Sequence, residues 1–128
     1  MAITQDIRVL VEPRYLDDQS DPDSNRYFWA YTIEIRNDGH ETVQLRHRYW
    51  EITDGLGEVR HVKGAGVVGE QPVLNPGEAF EYTSGCPLST NSGFMAGHYK
   101  MCTMSGEAFE VEIPAFALDL PTTTRTIN

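Results

Sequence analysis

The segment Tyr27-Phe28-Trp29-Ala30-Tyr31-Thr32-Ile33-Glu34-Ile35-Arg36 decides the fold class of this chain. Tyr27, Trp29, Tyr31, Ile33 and Ile35 recur at every second position, which places them on one face of an extended strand. The alternate positions mix Phe28, Ala30 and Thr32 with Glu34 and Arg36, so the strand has one buried side and one partly wet side. Asn37-Asp38-Gly39-His40 then turns the chain. Before this segment, Ile7, Val9 and Val11 share one face of an earlier strand. After it, Val43, Leu45, His47 and Tyr49 alternate with Gln44, Arg46, Arg48 and Trp50 in a third. Further strands are expected near 58–63, over 79–84 and 94–104, through Phe109, Val111 and Ile113, and over 115–120. Asp54-Gly55, Asn75-Pro76-Gly77, Asn91-Ser92-Gly93 and Ser105-Gly106 supply the turns between them. No window keeps helical apolar spacing for three turns without Gly or Pro. The pattern predicts an all-β sandwich of about seven to eight antiparallel strands.

The 128 residues, 40% hydrophobic and 23% charged, suit a single domain with a core over about 7–120. The threonine-rich stretch 121–128 reads as a loose tail. No apolar run is long enough for a signal peptide or a membrane span, so the expected location is the cytoplasm, with Cys86 and Cys102 as thiols and no membrane insertion. A net charge of −9 argues against nucleic acid and anionic membranes as partners. Two local basic spots stand against that balance: Arg46, His47 and Arg48, and Arg60, His61 and Lys63.

Several motifs invite a chemical reading. Gly64, Gly66 and Gly69 form a GxGxxG pattern, which in a dinucleotide fold opens a helix that receives a pyrophosphate. Pro72 and Pro76 forbid that helix, leaving either an anion nest of backbone amides or a bulged strand in close backbone contact. Asp21 and Asp23 begin like a calcium loop, but Arg26 and Thr32 stand where its glycine and closing glutamate belong. His61 and His98 are candidate transition-metal ligands if they converge with Cys86 and Cys102, although no ligand spacing is present. No nucleophile elbow or catalytic-cysteine context occurs, so catalysis is not expected and no cofactor is implied. Tyr27, Phe28, Trp29, Tyr31, Tyr49 and Trp50 cluster on two adjacent strands, and any exposed members, with Trp29 and Trp50 as the candidates, would suit a protein interface.

The order of these motifs is specific. Tyr27-Phe28-Trp29-Ala30-Tyr31, Val43 to Trp50, Gly64 to Pro72, Leu74-Asn75-Pro76-Gly77-Glu78, Tyr82 to Leu88, Phe94 to Tyr99 and Ile113-Pro114-Ala115-Phe116 together resemble the bacterial ApaG family from about Ile7 to Leu120. The resemblance implies an immunoglobulin-like, fibronectin type III-like sandwich. It places the family's glycine motif on Gly64, Gly66 and Gly69. Family members carry a cobalt and magnesium efflux label, which for a chain without a span implies a soluble accessory factor rather than a transporter. The same domain in eukaryotic F-box and polymerase-associated proteins implies a protein-interaction module. The leading expectation is therefore a non-catalytic binding module for an unidentified protein partner. The alternatives are cobalt or magnesium homeostasis, and phosphate or nucleotide binding at Gly64, Gly66 and Gly69. Edge strands of a small sandwich can pair, so a homodimer is compatible with this sequence.

Overall fold

The computed structural model describes residues 1–121, so residues 122–128 of the expected tail lie outside the described part. Nine strands run in order: β1 (Ala2–Thr4), β2 (Ile7–Tyr15), β3 (Tyr27–Asn37), β4 (Val43–Asp54), β5 (Val59–Ala65), β6 (Val73–Leu74), β7 (Ala79–Leu88), β8 (Gly93–Thr103) and β9 (Ala108–Leu118). They form two antiparallel sheets, β1-β2-β3-β7 and β5-β4-β8-β9, with β6 also paired to β4. The sheets face each other as the β-sandwich that the alternation predicts, with the fibronectin type III-like form that the family resemblance implies.

The decisive segment behaves as its alternation requires. Trp29, Tyr31, Ile33 and Ile35 point inward from β3, and they meet Leu45, Trp50, Tyr99, Met101, Val111 and Ile113 from the other sheet. Trp29 and Trp50 are 1% and 3% exposed, so the interface role expected for them is corrected: both are core residues. Trp29 is held there because its Nε1 donates to the Asp119 carbonyl at 2.9 Å, which satisfies its one polar group. Trp50 lies edge-on to Tyr31 and Phe116. Tyr82 of β7 and Tyr99 of β8 join the sheets through a hydroxyl–hydroxyl hydrogen bond of 2.5 Å.

Three differences from the sequence reading have physical reasons. The strands expected through Ile113 and over 115–120 are one strand, β9, which passes through Pro114. The register shift between Met95 and Gly97 leaves room for the proline, which has no N–H to offer a ladder. The short strands β1 and β6 are too brief to show alternation, and they are recruited by neighbours; the Glu112 amide donates to Thr4 Oγ1 at 3.3 Å, tying β1 to β9. The third difference lies in β4. Alternation places Val43, Leu45, His47 and Tyr49 on one face, but a bulge between Leu45 and His47 inserts Arg46 and reverses the facing. Val43, Leu45, Trp50 and Ile52 are therefore buried, and His47 and Tyr49 turn outward.

Candidate functional site

The bulge is built by the glycine loop. The Arg46 carbonyl accepts from the Gly66 amide and from Gln71 Nε2, both at 2.9 Å. Gly66 sits at φ +64°, and a Cβ there would lie 2.2 Å from the Glu70 carbonyl oxygen, so only glycine fits. Arg48 fills the space beside Gly64 and donates to the Ala65 and Gly66 carbonyls at 3.1 and 3.0 Å. Gly69 lies in the tight turn closed by reciprocal bonds between Val67 and Glu70. Fully buried Val67 anchors this loop in the core. The amides of Gly66, Val67 and Glu70 are thus engaged within the fold. The observed arrangement is the close-backbone one, and the loop's effect is to face Tyr49 outward.

Outward facing gives the β5-β4-β8-β9 sheet a distinctive exterior. Across the strands, Ala65, His47, Lys100 and Glu110 are successive neighbours, and so are Lys63, Tyr49, His98 and Glu112. One step further, His61 neighbours Glu51. Both lysines of the chain and three of its four histidines therefore surround one tyrosine. The Tyr49 ring stacks with His61 at 5.7 Å between centroids and tilts against His98 at 5.0 Å. Its hydroxyl is hydrogen-bonded with His61 Nδ1. Lys63 Nζ stands 6.0 Å over the ring, within cation–π range. Tyr49, Lys63, His98, Lys100, His47 and Glu110 line an open groove of about 580 Å³.

One acid reaches into this cluster: Glu110 lies 3.6 Å from His98 Nε2. Lys63, Lys100 and His47 make no ion pair among the described residues. Lys63 and Lys100 thus bring two positive charges to the groove, with Glu51, Glu110 and Glu112 in neighbouring positions.

The remaining candidates separate. His61 and His98 both flank Tyr49, on β5 and β8. Cys86 is buried in the core, where burial pushes its thiol up and Arg60 opposes the shift, and half-buried Cys102 lies 4.0 Å from Arg46 Nη1. Asp21 and Asp23 stay on the loop between β2 and β3, where Asp21 pairs with Arg26 through the backbone. Among the described residues no three His, Cys, Asp or Glu side chains form a group able to hold a metal ion. No helix of the described residues is long and apolar enough to cross a membrane. Sequence reasoning did not single out Tyr49, Lys63 or Lys100 as a site. The two basic spots were the available signal, since the hairpin of β4 and β5 sets His47 beside Ala65 and Tyr49 beside Lys63.

Comparison with known proteins gives a consistent result. A family model described as the ApaG domain matches residues 17–103. Protein ApaG of Mesorhizobium japonicum is 60% identical over 99% of this chain and 98% of its own length. Protein ApaG of Rhodospirillum centenum is 64% identical over 93% of this chain and 92% of its own. A crystal structure of a Bordetella pertussis protein described as ApaA superposes with a TM-score of 0.90 at 48% identity, covering 95% of this chain and 99% of that one.

Proposed function

The chain belongs to the ApaG domain family, and on that premise we propose that it is a non-catalytic, cytoplasmic binding module that holds an acidic segment of a partner protein against Tyr49. One observation carries the reading: an acidic chain gathers both its lysines and three of its four histidines on one sheet exterior, around a half-buried aromatic ring. An aromatic ring amid cations suits a protein interface, where tyrosine supplies contact area at low entropic cost and complementary charge sets register and encounter rate.

The test is an amide-resolved NMR titration with a ten-residue Glu/Asp-rich peptide at fixed ionic strength. Saturable shifts confined to the neighbourhood of Tyr49, Lys63, His98 and Lys100 are expected. Shifts spread over both sheet exteriors, or reproduced by sodium chloride alone, would show that the face only collects counterions.

A further inference from the structure

The donors on the Tyr49 face are of a particular kind. Lys63 comes from β5, His47 from β4, and His98 and Lys100 from β8. Neighbouring strands lie roughly 4.8 Å apart, and these groups rise from three adjacent strands to line one groove. Each offers a point-like N–H donor. The fork of a guanidinium suits planar carboxylates and phosphates alike, whereas lysine meets a phosphate as a point charge. Arg46, at the bulge, directs its Nη1 toward Cys102 Sγ at 4.0 Å. A phosphate monoester carries up to two negative charges and three terminal oxygens, and it matches several separate point donors better than a carboxylate does.

The face is also fenced. Glu51, Glu110 and Glu112 occupy neighbouring outward positions, and Glu110 already approaches His98 at 3.6 Å. Negative charge spread along a segment would lose part of its attraction to these carboxylates at the groove's border. A compact dianion would not. The ring of Tyr49, flanked by His61 and His98 with Lys63 over it, stands in the wall of the same groove as the cations.

We infer that the anion recognised beside Tyr49 is a phosphate monoester on a side chain of the partner protein, held between Lys63 and Lys100. This rests on the binding-module reading above and narrows it to a phosphorylated partner. The partner's phosphorylation state then controls its attachment to this module.

The experiment compares one acidic peptide in three forms, with phosphotyrosine, tyrosine or glutamate at its centre, and adenosine monophosphate as a separate probe. Binding is read from amide and ³¹P shifts. The phosphorylated form should shift Tyr49, Lys63 and Lys100 saturably and bind at least about tenfold tighter than the glutamate form. Lys63→Gln with Lys100→Gln should remove that preference while the remaining amide spectrum stays unchanged. Equal affinity of the phosphorylated and glutamate forms at this face would overturn the phosphate inference and leave the acidic-segment reading standing. Saturable shifts with adenosine monophosphate but none with any peptide would overturn the partner side chain as the source. No localised response to any probe would overturn both readings.

Discussion

The two sheet exteriors of this sandwich come from similar strands and carry opposite charge logic. On β2, β3 and β7 the outward positions hold Arg8, Glu12, Arg14, Glu34, Arg36, Glu81, Thr32 and Thr83. Two ion pairs form there: Arg8 with Asp38 at 2.8 Å and Arg36 with Glu34 at 3.2 Å. Thr32 and Thr83 share a hydroxyl hydrogen bond of 2.9 Å across the strands. Such pairs contribute little stability individually, but they neutralise part of this surface. On β5, β4 and β8 the lysines are not neutralised in this way, and an aromatic ring stands among them. A folded exterior needs only the first arrangement. The second leaves Lys63 and Lys100 without ion pairs among the described residues, which is the feature the proposed acidic partner would use.

The largest expected effect tests the backbone under that surface. A Cβ at Gly97 on β8 would lie 2.1 Å from the Tyr49 carbonyl oxygen, a contact with main chain that cannot yield. A Cβ at Gly85 on β7 would instead meet the tip of the Phe28 ring at 2.6 Å, and that half-exposed ring can turn aside. Gly97→Ala should therefore cost about 3 kcal/mol, and Gly85→Ala about 1 kcal/mol or less, in urea unfolding midpoints at constant slope. Equal costs would mean that the floor beneath Tyr49 is no tighter than that of the opposite sheet.

Charge reversal gives the next effect. Lys63→Glu with Lys100→Glu should weaken the acidic peptide by at least about tenfold, while Arg14→Glu with Arg36→Glu should change it by less than about twofold. Isothermal calorimetry at one ionic strength reads both. Similar losses from the two pairs would erase the distinction between the exteriors and reduce the binding to net charge.

The smallest effect at neutral pH concerns what lies between the faces. Burial pushes the phenols of Tyr31, Tyr82 and Tyr99 up. For Tyr31, a hydrogen bond with Ser84 opposes the shift, and for Tyr99 the neighbouring Tyr82 adds to it. The unfolded chain sheds these protons near the ordinary tyrosine value of about 10, whereas the folded chain keeps them. The contribution is fully present below that value and is lost as pH rises beyond it. Tyrosinate absorbance should therefore show late ionisation coincident with unfolding, and denaturant midpoints should fall only above about pH 10. Early ionisation of all six tyrosines in the folded state would mean that the core between the sheets admits hydroxide.

Much of the sandwich was legible because its cause is local. The alternation from Tyr27 to Ile35 has a period of two whatever lies across the sheet, and the turn at Asn75-Pro76-Gly77 follows from the dihedral demands of Pro and Gly. The site was less legible because its cause is not local. Trp50 sits four positions from Arg46, and its side depends on whether one residue is bulged between them. That depends on Gly66 and Gln71, twenty or more positions away, both donating to the Arg46 carbonyl. Lys100 gave no signal beside Tyr99, which is buried, because adjacent residues of a strand face opposite ways.

By itself, then, the sequence determined most of the longer strands, the sheet-forming class, the buried face of β3 and the family, since each follows from residue type and short-range spacing. Only the tertiary structure decided that Trp50 is core and Tyr49 surface, that the GxGxxG stretch braces a bulge, and that lysines 37 positions apart share one face. These outcomes rest on register, and register is set by hydrogen bonds between strands that are distant in the chain.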